Sequence, residues 1–416
     1  MSGTPETNSS VLAVLRSLTP DARLFILAMA LTRLTGFMVF PFLTIILNQQ
    51  LGASIVQIGT LFTVGAFVGL ATSPVAGFVA DAVPKKALMQ AGTGLTILCF
   101  LALALFQNLY VYFAAITLFS VAGGMLEPLL RSSLGDFSQN EEQRPALFHV
   151  RYYIVNIAGA VGPFLGLWFV QTGSMMVFYI AAASYVFLGF VTQFKLREPS
   201  AEATAEARGT GISVLREILK HRLFVALFFA NFLLVFIYSQ TDEPLTFHMI
   251  DMGVPDIAAI IAILTVTNTV VVLVLHGLLM KKIMGMRENL AFLIAITCLG
   301  LSLLLIALND GQFLWVWVLA IAISTLGEII ALPMFLTIVD RIAPEAQRNT
   351  FFGVYMLSNT GGAVAPFLAA EFISAYGGGA LFLGSALCCI PLAVIGSIAL
   401  RSDETPQEKE SGHEPV

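Results

Sequence analysis

Arg33, Glu127, Arg131 and Glu328 each stand inside a long apolar run. A charge at the centre of a membrane helix costs about 3 kcal/mol on insertion scales, so side chains kept there are functional suspects by default. Arg33 lies nine residues into the first apolar run, about 14 Å deep at 1.5 Å per residue. It can hold an anion or partner a proton-exchanging carboxylate; equally, it can be one half of an interhelical ion pair. Glu328 sits near the middle of its run. A carboxylate withdrawn from water can be neutral or charged near neutral pH, which is what a proton carrier needs, although hydrogen bonding to a neighbouring helix would also account for it. Glu127 and Arg131 are four residues apart with the acid first, the spacing of a same-face ion pair, either structural or a coupling switch. Asp242 and Glu243 precede Pro244 and have the ordinary reading of exposed loop acids. Together with Tyr238 and Gln240 they could also offer hydrogen bonds to a substrate. His149, Asn268 and His276 read as packing groups, the usual role of lone polar residues in membrane helices.

The elements that must position these residues follow from composition. The chain is 57% hydrophobic and only 11% charged, where a soluble domain carries roughly 25% charge. Lipid must therefore be its main solvent. At about 20 apolar residues per crossing, the first half reads as spans 24–47, 56–79, 87–106, 110–133, 148–170 and 175–194. The second half reads as 223–246, 256–280, 288–308, 313–338, 352–374 and 380–400. Nothing alternates as a β-barrel would. Basic residues gather in every second break: Lys85 and Lys86, then Arg144, then Lys195 to Arg222, then Lys281, Lys282 and Arg287, then Arg341 and Arg348. By the positive-inside rule both termini are expected in the cytoplasm, with the chain in the cytoplasmic (bacterial inner) membrane. The first apolar run, beginning near Leu24, is too long for a signal-peptide core and is expected to stay as the first membrane helix. Within the linker, Ile212, Leu215, Ile218 and Leu219 have the spacing of a short amphipathic helix. The expected organisation is a six-helix half at 1–195, a cytoplasmic linker at 196–221, a second six-helix half at 222–401 and a disordered tail at 402–416. The four cysteines fall in apolar segments without metal-ligand or disulfide spacing, and no basic run suits nucleic acid.

The halves repeat. Asn156-Ile-Ala-Gly-Ala-Val-Gly-Pro163-Phe-Leu165 matches Asn359-Thr-Gly-Gly-Ala-Val-Ala-Pro366-Phe-Leu368 at an offset of 203 residues, which also pairs Tyr152 with Tyr355. Gln143-Arg144 answers Gln347-Arg348 after one gap, and Pro128 answers Pro333. Two parallel six-helix repeats are an arrangement of secondary transporters that rock about a midplane site. The fold class expected is therefore all-α integral membrane, with twelve transmembrane helices in two pseudo-symmetric bundles.

Over nearly its whole length the sequence resembles the major facilitator superfamily. Gly77-Phe-Val-Ala-Asp81-Ala-Val-Pro84-Lys85-Lys86 is similar to that family's Gly-x-x-x-Asp-Arg-x-Gly-Arg-Arg/Lys loop, with Ala82 and Pro84 as departures. Gly162-Pro163-Phe-Leu-Gly166 resembles the span-5 motif of the drug:proton antiporter branch, from which Leu167 departs, and Leu118 to Gly123 lacks that branch's span-4 arginine. Thr325-Leu-Gly-Glu328, followed by Pro333, resembles span 10 of multidrug:proton antiporters. The resemblance implies proton-coupled export of a hydrophobic or amphipathic small molecule by alternating access. Arg33, Glu127, Arg131, Glu328, Tyr238, Gln240 and Asp242 would line the proton and substrate pathway; Gly77, Asp81, Lys86, Gly162 and Pro163 would take part in gating. A dedicated exporter of an anionic metabolite such as a siderophore, or a nutrient importer, is the alternative. No nucleotide-binding loop, zinc pattern or nucleophile elbow is present. Neither enzyme activity, a cofactor nor a metal is expected, and the chain is read as a monomer in lipid.

Overall fold

The computed structural model describes residues 18–80, 83–137, 143–196, 218, 220–344 and 348–404. Residues 197–217 of the linker, with most of its expected amphipathic helix, and 405–416 of the tail lie outside the described residues, as does Asp81. Every described element is helical. The first half runs α1 (Pro20–Val39), α2 (Ile55–Ala80), α3 (Lys85–Leu105), α4 (Leu109–Asp136), α5 (Gln143–Gln171) and α6 (Met176–Lys195). The second runs α7 (Arg222–Tyr238), a short α8 (Glu243–Asp251), α9 (Ile257–Met284), α10 (Glu288–Leu308), α11 (Leu314–Ile342), α12 (Arg348–Met356), α13 (Thr360–Tyr376) and α14 (Gly378–Glu404).

Eleven helical segments among the described residues are long and apolar enough to cross a membrane. The remaining predicted span, the eleventh at 352–374, is interrupted by a 3₁₀ turn at Leu357–Asn359 that separates α12 from α13. The cause is polar. Asn231 of α7 donates to Ser358 Oγ at 2.6 Å and to Asn359 Oδ1 at 3.3 Å, so the turn delivers two side-chain acceptors to one buried amide. A polar group in an apolar interior must be paired, and the bend in the ladder supplies the partners. A similar break follows α1, where Pro41 opens a 3₁₀ turn at Phe40–Phe42 because proline cannot donate to the helical ladder.

The sequence repeat recurs as a packing repeat. α3 packs on α4 and α6, while α1 packs on α5 and α6; in the second half α10 packs on α11 and α14, and α7 on α13 and α14. Small residues set the close crossings, as expected where backbones must approach without a hydrophobic drive between helices. A Cβ at Gly162 of α5 would lie 2.6 Å from Phe37 Cβ of α1, and one at Gly124 of α4 would lie 2.6 Å from the Gly69 carbonyl oxygen of α2. At Gly361 of α13 a Cβ would overlap the Phe232 carbonyl oxygen of α7. Backbone cannot yield as a flexible side chain does, so Gly361→Ala is expected to cost about 1–3 kcal/mol. A lowered midpoint of thermal unfolding in detergent checks this, with Gly353→Ala as control because nothing lies within 4 Å of a Cβ there.

Contacts group the chain into two units, drawn from Met1–Leu43 with Val68–Thr204 and from Thr44–Phe67 with Ala205–Val416. The first part of α2 belongs to the second unit, where Gly59 lies against the Pro366 carbonyl of α13 and Phe367 N–H donates to Thr63 Oγ1 at 3.1 Å. Inside the first unit, Thr19 caps α1 by accepting from Ala22 N–H at 3.2 Å. Asp21, one residue beyond Pro20, pairs with Lys195 of α6 at 3.0 Å, so α6 ends beside the start of α1. Prolines lie inside α4 (Pro128), α5 (Pro163), α11 (Pro333), α13 (Pro366) and α14 (Pro391).

Candidate functional site

Two polar clusters form, one in each unit. In the first, Glu127 of α4 accepts from three arginines. Arg33 of α1 donates to its Oε2. Arg131 Nε donates to its Oε1 at 2.8 Å and Arg151 of α5 donates to Oε1 at 2.5 Å. The helical turn brings Arg131 onto the same face as Glu127, and the close α1–α5 packing described above brings Arg33 and Arg151 to it. The side chains are 34% (Arg33), 31% (Glu127), 59% (Arg131) and 20% (Arg151) exposed. Arg151 Nε is buried and has no hydrogen-bond partner. Beside it lies a cavity of about 10 Å³ lined by Arg33, Arg151 and apolar side chains including Met29, Leu134 and Ile154. That is room for one water-sized centre. Tyr185 of α6 lies near enough to Arg33 to act on it electrostatically.

In the second unit, Glu328 of α11 accepts from Asn268 Nδ2 of α9 at 3.0 Å. Asn268 Nδ2 also reaches Thr325 Oγ1, one turn before Glu328, at 3.0 Å. The Tyr238 hydroxyl is turned toward the same carboxylate, and Asp242 lies close enough for its own carboxylate to repel it. Gln240 is set apart. Its side chain is fully buried and donates to the Phe236 carbonyl of the preceding helix α7 at 3.0 Å, leaving Oε1 without a partner.

The residues singled out in the sequence thus separate into groups. Arg33, Glu127 and Arg131 come together, as do Glu328, Tyr238 and Asp242. Gly162 lies at the α1–α5 crossing with Pro163 beside it inside α5. Gly77 is in α2 and Lys86 in the first turn of α3, half-buried. Two participants were passed over. Arg151 looks like one more basic residue at a helix end, being only three residues inside the predicted span 148–170, and its counterpart at the 203-residue offset is Val354, so the repeat gives no signal for it. Asn268 reads in the sequence as a packing group, although its position in the middle of an apolar span sets it apart.

The family model for the Major Facilitator Superfamily matches residues 25–365. The chain belongs to the Major Facilitator Superfamily. Among curated members, the uncharacterized MFS-type transporter YqjV of Bacillus subtilis (strain 168) is 26% identical over 351 residues, covering 83% of this chain and 85% of that protein. A Na(+), Li(+), K(+)/H(+) antiporter of Planococcus maritimus is 23% identical over 370 residues, covering 79% and 84%. Among solved structures, a POT family transporter in complex with 5-aminolevulinic acid superimposes with a TM-score of 0.77 at 16% identity, covering 92% of this chain and 96% of that one. This likeness shows the shared fold. As a Major Facilitator Superfamily member the chain is a multi-pass membrane transporter and not an enzyme, with the all-helical architecture expected from its sequence.

Proposed function

We propose that this transporter couples proton movement to the export of hydrophobic or amphipathic small molecules, in the cytoplasmic membrane with both termini on the cytoplasmic side. The observation that carries the reading is the Glu328 carboxylate, held inside an apolar helix by Asn268 with Tyr238 turned toward it. Neutral donors from two neighbouring helices can orient a carboxylate in either protonation state without neutralising it, as a counter-ion would. Glu328 therefore binds a proton when open to one side and releases it to the other. The exchange of cations for protons named for the Planococcus maritimus relative supports antiport as the direction of coupling. The basic residues of alternate breaks support the orientation. Gly162 and Pro163 are assigned to gating because they stand at a close helix crossing, and Gly77, Asp81 and Lys86 on the resemblance of their sequence to the family's loop motif.

The test is proton flux in proteoliposomes holding a pH-sensitive dye, with lipophilic drugs, amphipathic acids, and sodium and lithium salts added in separate arms. Proton movement on addition of an amphipathic compound is the expected result. Movement with sodium or lithium alone would overturn the small-molecule cargo, and no movement in any arm from folded protein would overturn the proton coupling.

A further inference from the structure

Glu127 is bonded by more positive charge than it can neutralise. Three guanidinium groups, from Arg33, Arg131 and Arg151, converge on this one carboxylate, and no other acidic side chain among the described residues is paired with them. One carboxylate offers about four lone-pair sites; three guanidinium groups bring more donors than that, and Arg151 Nε is one left over, buried and unpaired. The small cavity between Arg33 and Arg151 lies beside it. Charges that remain a fifth to more than half exposed at membrane depth cannot face lipid at tolerable cost, so they border a route that water reaches.

We infer that Arg33, Arg131 and Arg151 form an oxyanion site, at which a carboxylate or phosphate group of the transported molecule is held in competition with Glu127. One oxygen of the group has room in the cavity next to Arg151, and planar guanidinium forks match carboxylate and phosphate oxygens in pairs. Glu127 is the built-in competitor: when the anion binds, it takes over guanidinium donors that Glu127 holds in the empty protein, and when the anion leaves, Glu127 recovers them. The cargo class is accordingly an amphipathic acid. That identification rests on the transport reading above, whereas the site itself is measured by binding alone, without a proton gradient.

The probes are benzoate, phenyl phosphate and benzyltrimethylammonium, compared at constant ionic strength on purified protein in detergent. A ligand of the folded state raises the thermal midpoint with its concentration and so reports its own affinity. Benzoate and phenyl phosphate are expected to raise the midpoint and the quaternary ammonium ion to leave it unchanged. Glu127→Gln, which removes the competitor, is expected to tighten benzoate binding by roughly tenfold, in the range of ordinary coupling between sites; Arg131→Gln, at the most exposed member, weakens it. An ion-pair cluster with only a structural role predicts that benzoate leaves the midpoint of Glu127→Gln unchanged. Equal shifts with the acid and the ammonium ion, or benzoate binding unchanged in both variants, would overturn the site. Nanodiscs of phosphatidylcholine with and without phosphatidylglycerol separate the sources. If phosphatidylglycerol alone abolishes the benzoate shift, the site holds a lipid headgroup and the cargo assignment falls.

Discussion

Proteoliposomes carrying Glu328→Gln are expected to lose proton-driven transport while still exchanging labelled for unlabelled substrate. The amide keeps the length of the side chain and an oxygen that accepts from Asn268 Nδ2, so the 3.0 Å contact between α9 and α11 survives the substitution. What disappears is the capacity to take up and release a proton. If Glu328 is the proton carrier, the substituted protein can still alternate with cargo bound, which exchange reports, but a pH gradient no longer biases the cycle. Glu328→Asp shortens the side chain by one methylene, parts it from Asn268 and is expected to slow proton-driven transport without abolishing it. Proton-driven transport at the wild-type rate in Glu328→Gln would remove Glu328 from the coupling and leave Asp242 as the carboxylate to test.

The second large effect concerns stability. Glu127→Leu leaves Arg33, Arg131 and Arg151 without their shared acceptor. Breaking a buried pair by removing one partner costs about 3–5 kcal/mol, and the partial exposure of this cluster places the expected loss near the lower end, at about 3 kcal/mol. Yield in the membrane and the thermal midpoint are both expected to fall. Adding Arg33→Leu and Arg151→Leu to the same protein is expected to recover part of the loss, because apolar residues of similar volume spare the desolvation of stranded charge. Arg131→Leu should contribute little to that recovery, since its side chain is 59% exposed and water already serves it. A Glu127→Leu protein as stable as the wild type would mean that the three guanidinium groups have solvent or other partners enough without Glu127.

Much of this architecture was legible in the sequence, and the reasons are physical. Lipid as solvent demands long apolar helices, so Arg33, Glu127 and Glu328 announce themselves by what surrounds them. The offset of 203 residues between the two Asn–Pro motifs pointed to two related halves, and the helix pairings recur between them, with small residues at both crossings but at non-equivalent positions, Gly162 against α1 and Gly361 against α7. Arg151 was hidden because a basic residue near the end of a span is ordinarily held at the interface, and only the approach of α1 to α5 turns it inward. Asn268 was hidden because an amide is cheap in a helix until its neighbour is known. The interruption at Leu357–Asn359 depends on Asn231, 127 positions before Ser358, and nothing local to 352–374 reports a partner so distant. The grouping of Thr44–Phe67 with the second unit likewise depends on Gly59 meeting Pro366.

Pro128 follows Glu127 directly inside α4. Its ring nitrogen has no proton to give to the preceding turn, so the helix is already missing one tie at the residue where three arginines converge. The α4 backbone therefore has one hydrogen bond fewer to resist bending beside the carboxylate on which three guanidinium groups converge. Leu109 stands nineteen residues before Pro128, about 28 Å at 1.5 Å per residue, so a bend of a few degrees at Pro128 would carry that end of α4 through about 2 Å.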